Sequence, residues 1–360
     1  MKEAAHSIVT RVACVKKVPN VLIICGRHNS AFAGYLMREC YEECAFPHLW
    51  VWDENLLPGK GRVVTETLVA KLPKHTRSLL KNSSLIIWLT QFENPKNAEA
   101  DLGTAVCSFW NKVYGVVKDK PLVAVNLFSK KSVESMGIGY DEFLAVFANA
   151  VNVDYEKVRR TGSRIRASLE GKKLIAVTDP NGTDLSFSIK NRRVGVEVGT
   201  LGDCFSTGTE CDVEVPGGEV YVAPLESSAC GRLVADEVRD FGVRRLEMEF
   251  DDGRIAGLRA EKGEAEFQSF LENATGSKDR IAEFGVGINH GMKPIGFRIC
   301  DEKAFGTIHV AIGNNVQMGG VSEASIHIDF NLYKPTVKAD NRLVMEEGRI
   351  AGLQHPQLGQ

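Results

Sequence analysis

The feature that most constrains this chain is a change of texture near residue 172. Before it, short apolar runs rich in β-branched and aromatic residues (VLIIC at 21 to 25, HLWVW at 48 to 52, SLIIWL at 84 to 89, PLVAVNLF at 121 to 128) alternate with longer segments of helical period. Those helical segments fall at about 30 to 44, 62 to 82, 103 to 118 and 140 to 170, the last one rich in Arg and Lys. Such alternation predicts a parallel sheet covered by helices. Beyond residue 172 come short strand patterns divided by Gly, Asn and Asp: KLIAVTD, DLSFSIK, GEVYVAP, RRLEMEFDDGRIAGLRAE, GTIHVAIG and ASIHIDF. A helical insert at about 263 to 277 and the small segment SACGRLVADEV interrupt them. The expected fold class is α/β: an N-terminal parallel-sheet α/β domain, residues 1–165, followed by a β-rich α+β metal-binding domain, residues 166–360. The boundary near residue 165 lies within the long basic helix.

A length of 360 residues suits two domains, each with its own core. With 44% apolar residues, 25% charged residues and a formal net charge of -2, the chain lacks the basic excess that nucleic acid would require. No run of 18 apolar residues offers a membrane span, and the N-terminus has no long apolar stretch after its first charges, so a cytoplasmic protein is expected. Nine cysteines without a CxxC pair read as reduced, mostly buried residues. Cys40, Cys44 and His48 have the i, i+4, i+8 spacing of one helix face, where a half-buried apolar face is the simpler reading and a metal or redox role the sharper one. The turn GRHNSAFAG lacks both GxGxxG and the lysine of a phosphate loop.

Chemistry concentrates in the second half. His309 (TIHVAIG) and His327 (SIHIDF) sit in strand-like contexts, and Asp329 follows His327 by two residues. In a strand, i and i+2 face the same side, so His327 and Asp329 present an imidazole and a carboxylate to one volume. On its own that pair equally describes a hydrogen-bonded His–Asp couple on a half-buried sheet. Glu219 opens the apolar strand VYVAP after PGG, and Glu283 lies in the apolar stretch IAEFGVGIN. A buried ionised carboxylate needs a cation, either a basic side chain or a metal. With two histidines and an aspartate beside them, zinc, manganese or cobalt suits the mixed oxygen and nitrogen set, and two ions could share it.

The stretches EVPGGEVYVAP, IAEFGVGIN, KAFGTIHVAIG and IHIDF, preceded by TDPNGTDLSFSI, resemble in this order the metal-binding segments of the M29 family of metallo-aminopeptidases. The resemblance covers residues 160 to 350, and the N-terminal half only by general architecture. It implies a homodimer, a pair of divalent ions in the C-terminal domain, a peptide or small-molecule substrate, and Glu219, Glu283, His309, His327 and Asp329 as ligands. Glu219 and Glu283 are also the catalytic candidates, since either becomes the general base if it does not touch metal. The resemblance implies a tyrosine seven residues after the histidine of KAFGTIHVAIG, His309, where this chain has Val316. The same superfamily resemblance extends to dihydroxypyridine dioxygenases, which hold one iron and which the resemblance implies carry histidine at the place of Glu283. A relative that has lost its chemistry is the third alternative.

His290, in GINHGM, is a candidate proton shuttle or substrate ligand against the simpler reading of an exposed loop histidine. Asn289, Asn314, Asn315, Gly319 and Gly320 would line the same cavity or simply make turns. Arg232 would pair with an acidic substrate terminus or form a surface salt bridge.

Overall fold

The computed structural model describes residues 1–17, 19–53, 72–90, 92–93, 101–202 and 211–353. They form two compact units: Met1–Asn152 with Gly199–Gly217, and Val153–Val198 with Gly218–Gln360.

In the first unit the four apolar runs become parallel strands: β1 (Asn20–Gly26), β2 (Phe46–Trp52), β3 (Leu85–Leu89) and β4 (Leu122–Val125). A fifth, β8 (Asp212–Val215), pairs parallel with β4 and completes the order β2-β1-β3-β4-β8. It comes from a part of the chain that the sequence pattern groups with the second half, because strand partners distant in sequence leave no local periodicity. Helices Ser30–Glu42, Lys74–Asn82 and Asp101–Val117 match the periodic segments, although the start of the segment read at 62 to 82 lies outside the described residues. The segment read as one helix at 140 to 170 is two, Tyr140–Val151 and Tyr155–Leu169. Asp154 causes the break: its carboxylate accepts the N–H groups of Glu156 and Lys157, and an N-cap ends the preceding helix despite continuing apolar period. Cys40, Cys44 and His48 do not share a helix face, since that helix ends at Glu42 and His48 lies on β2.

The second unit is built on two antiparallel sheets. The larger has eight strands in the order β12-β11-β10-β6-β5-β16-β17-β18: β5 (Leu174–Thr178), β6 (Asp184–Ser188), β10 (Cys230–Val238), β11 (Val243–Asp251), β12 (Arg254–Lys262), β16 (Thr336–Ala339), β17 (Arg342–Glu346) and β18 (Arg349–Ile350). SACGRLVADEV, read as an interruption, is β10 in the middle of this sheet. The smaller sheet has the order β15-β14-β13-β9-β7: β7 (Gly195–Glu197), β9 (Glu219–Val222), β13 (Ile281–Gly287), β14 (Ile308–Gly313) and β15 (His327–Leu332). Period-two alternation sorts the smaller sheet into two faces. Val220, Val222, Phe284, Val286, Ile308, Val310, Ile312, Ile328, Phe330 and Leu332 turn into a core shared with Phe187, Leu233, Leu246 and Met248 of the larger sheet. Phe187 and Phe284 meet across that core at 5.4 Å between ring centroids. Truncating Phe284 to Ala there would cost about 3–5 kcal/mol. Among the described residues, no helix is long and apolar enough to cross a membrane.

Candidate metal centre

The opposite face of the smaller sheet carries every residue the sequence singled out as a ligand. Strand register places Glu219 against Gly287, Gly285 against His309, Glu283 against Ala311, and Ala311 against Asp329. Large chelating side chains therefore alternate with glycine and alanine across four strands. The spacing is a steric requirement: a Cβ on Gly285 would lie 1.9 Å from His309 Nε2, so only glycine lets that imidazole lie flat over β13. Gly287 has a second use. A Cβ there would meet the Ala304 carbonyl at 2.0 Å, and its absence lets the segment 302–307 cross the ligand face.

His309 Nε2 sits 3.4 Å from Glu219 Oε2 and 3.4 Å from Glu283 Oε1, while His327 Nε2 sits 3.0 Å from Glu283 Oε2 and 3.3 Å from Asp329 Oδ1. The donors thus form two sets, Glu219–Glu283–His309 and Glu283–His327–Asp329, each with its ligand atoms within 4.8 Å of one another. Glu283 belongs to both and turns one oxygen to each. Ligand atoms held at about 2.0–2.2 Å round a tetrahedral ion lie about 3.3–3.6 Å apart, the separation seen at His309. Glu219 Oε2, on the side of the set facing His309 Nε2, is buried without a hydrogen-bond partner. An orphaned carboxylate oxygen in a dry pocket of converging carboxylates fits a divalent cation better than a closed hydrogen-bond network.

The electrostatics point the same way. Burial by itself would lower the His327 imidazole, but the carboxylates of Asp329 and Glu283 against it overcome that and push it up to about 11. Burial likewise opposes the charge on His309, which Glu283 and Glu219 push up to about 9. Glu283, raised by burial, is brought down to about 2 by the two imidazoles, and Asp329 is held below the usual carboxylate range against the same burial. Burial is also the largest influence on Glu219 and raises it, against the pull of Lys303 and His309. The carboxylates draw positive charge to the two histidines, where a dication would otherwise supply it.

Three further charges surround the set, Lys303 and Glu302 buried and Arg298 partly so, and none was singled out from sequence. Lys303 Nζ lies 2.6 Å from Glu219 Oε1 and 3.4 Å from Glu302 Oε1. Arg298 bridges Asp240 Oδ2 at 2.8 Å and Asp329 Oδ2 at 3.2 Å. Their segment is organised by Asp301, whose carboxylate accepts the N–H groups of Ile295 and Gly296 and the Tyr333 hydroxyl. The usable signal was DEKAF, a run of charges leading into a buried strand.

The remaining candidates divide. Asn314 matters through its backbone: His327 Nδ1 donates to its carbonyl at 2.7 Å, which fixes the ring so that Nε2 faces the carboxylates. Asn315 is buried and braces the same loop through Glu226, Ala282 and Ser322. His290 is partly buried, stacked on Phe305 at 4.0 Å and 3.0 Å from Thr161 Oγ1 through Nε2, so it clips a helix rather than lying exposed on a loop. Arg232 donates to the Gly182 carbonyl from β10 of the larger sheet. Val316 stands 45% exposed in the turn after β14.

A family model described as thermophilic metalloprotease (M29) matches residues 142–342, more than half of the chain and all five proposed ligands. The chain belongs to the M29 metalloprotease family. A curated relative, aminopeptidase AmpS of Bacillus subtilis (strain 168), is 22% identical over 261 residues, 66% of this chain and 60% of that protein, so the match spans under two thirds of the relative's length. Among solved structures, AmpT from Thermus thermophilus has the same fold with a TM-score of 0.74 at 17% identity, over 97% of this chain and 98% of that one. The 2,5-dihydroxypyridine dioxygenase from Pseudomonas putida KT2440 is also similar in fold, with a TM-score of 0.65 at 14% identity over 98% and 97% of the two chains. Family membership implies a divalent metal, and the two donor sets are where the described residues could hold one.

Proposed function

We propose that this M29 protein is a two-metal aminopeptidase that removes N-terminal residues from peptides, with Glu219, Glu283, His309, His327 and Asp329 as its ligands. One observation carries the reading: Glu283 sits between the two histidines with one oxygen directed to each. A facial two-His-one-carboxylate iron site needs both imidazoles on one ion, whereas here each histidine keeps its own carboxylate, Glu219 for His309 and Asp329 for His327. Zinc, cobalt or manganese suits these oxygen and nitrogen donors.

A metal pair in this place supplies Lewis-acid polarisation of the scissile carbonyl and a water acidic enough to act near neutral pH. The chain's own residues do the rest. His327, with 32% of its side chain exposed, marks the open side of the set, while His309, Glu219 and Glu283 form the dry floor. Floor and rim together hold charge that would otherwise be screened by water. Val316 has no hydroxyl at the place where the resemblance puts a family tyrosine, so this chain lacks that donor for a developing oxyanion. A cytoplasmic homodimer is the assembly and location we propose with this activity, on the resemblance to the family and the absence of a membrane-length helix in the described residues.

The test is Glu283→Gln, assayed for metal content and for turnover of aminoacyl substrates together. The reading expects both to fall. Unchanged values for both would remove Glu283 from the site, and oxygen uptake dependent on ferrous iron with a dihydroxylated ring would replace the hydrolase by a dioxygenase.

A further inference from the structure

Each of the two terminal carboxylates in the centre has its oxygens divided between a basic side chain, Lys303 buried or Arg298 partly buried, and an imidazole. Glu219 gives Oε1 to Lys303 Nζ at 2.6 Å and keeps Oε2 3.4 Å from His309 Nε2, without a hydrogen-bond partner. Asp329 gives Oδ2 to the Arg298 guanidinium at 3.2 Å and keeps Oδ1 3.3 Å from His327 Nε2. Glu283, shared by both sets, has no Lys or Arg paired to it among the described residues and turns its two oxygens to the two histidines. The two cations come from one short stretch of chain, 298 to 303, with Lys303 buried and Arg298 anchored at its other side by Asp240. A carboxylate with one oxygen held by a charge-assisted bond cannot rotate to offer both.

We infer that Lys303 and Arg298 are positioning residues, each holding the outer oxygen of one terminal ligand so that a single oxygen faces its own metal position: Lys303 for the Glu219–His309 position and Arg298 for the His327–Asp329 position. The inference rests on the two-metal reading above. It assigns each cation to one position, which a cation that only balanced the pocket's negative charge would not do. Such a cation would repel a dication, and its removal would raise affinity.

The experiment titrates zinc into the metal-free full-length chain by calorimetry, in the wild type, Lys303→Met, Arg298→Met, His309→Ala, His327→Ala and the double variants. Lys303→Met is expected to weaken one of two ions by about 10–100-fold and Arg298→Met the other, the range typical of groups that orient a ligand. In double-mutant cycles, Lys303→Met should add nothing to His309→Ala and act independently of His327→Ala, with the reverse for Arg298→Met. Lys303→Gln, which retains a donor for Glu219 Oε1, should recover part of the loss and serves if the methionine variant does not fold. Equal weakening of both ions, unchanged affinity, or tighter binding in Lys303→Met would each overturn the inference. A wild-type chain that binds no zinc, cobalt or manganese would overturn the two-metal reading itself, a result distinct from any of these.

Discussion

The two units each bury a polar cluster around a histidine, and the clusters are built on opposite principles. In the first unit, at the ends of β1, β3 and β4, His28 Nε2 lies 3.1 Å from both Thr90 Oγ1 and Asn29 Nδ2, Thr90 donates to the Leu127 carbonyl at 2.7 Å, and Asn29 donates to the same carbonyl at 2.9 Å. Burial keeps His28 below the usual imidazole value, against the carboxylate of Glu93, and the neutral groups around it satisfy one another. In the second unit five ionisable groups face inward, both imidazoles are pushed above their usual value, and Glu219 Oε2 and His309 Nδ1 have no hydrogen-bond partner. The first arrangement ties strand ends together and needs nothing more. The second crowds three carboxylates around two imidazoles with an oxygen of Glu219 left unpaired, and the family's metal chemistry supplies a cation for such a set.

Mutations should separate the two clusters, and the largest effect is expected at a residue that bears no charge. Gly285→Val would drive a side chain into the place of His309 Nε2, so metal affinity should fall by about 100-fold or more, as read by elemental analysis after dialysis. Retention of full metal content would mean His309 is not a ligand. Asn29→Ala should instead leave metal content and turnover intact while costing about 1–3 kcal/mol of stability in denaturant melts, the cost of unsatisfied buried partners.

A pH series sharpens the same contrast. Because His309 and His327 are raised above the ordinary value of 6.5 in the metal-free fold, their contribution to stability is complete below that value. It is lost as pH rises through about 9 and about 11. The metal-free protein should therefore lose thermal stability as pH rises from 6.5 to about 11, and the metal-loaded protein should lose less, since metal replaces the protons. Identical profiles with and without metal would contradict this. The smallest expected effect is at His290: replacing it by Phe keeps the stack on Phe305 and removes only the contact to Thr161 Oγ1, for a stability change of about 1 kcal/mol and no change in activity. A loss of turnover without a loss of stability would restore it as a catalytic candidate.

The convergence of the proposed ligands was legible because strand period and an apolar setting leave few explanations for charged residues in IAEFGVGIN, TIHVAIG and SIHIDF. Four of the five strands in the parallel sheet were legible for the same local reason. What escaped was non-local. β8 joins its sheet only after the chain has left it and returned, and Lys303, Glu302 and Arg298 lie in a short helix and turn with no period, where charges ordinarily read as solvated. β10 escaped because Ala235, Asp236 and Glu237 are poor strand formers, and its pairing with β11 and β6 overrode that preference.

The most direct measurement is the metal content of the natively purified protein by elemental mass spectrometry, expressed as ions per chain. About two zinc, manganese or cobalt ions per chain is the result the two-set geometry requires. About one iron per chain would contradict it and support the dioxygenase, and no retained metal would point to a relative without this chemistry.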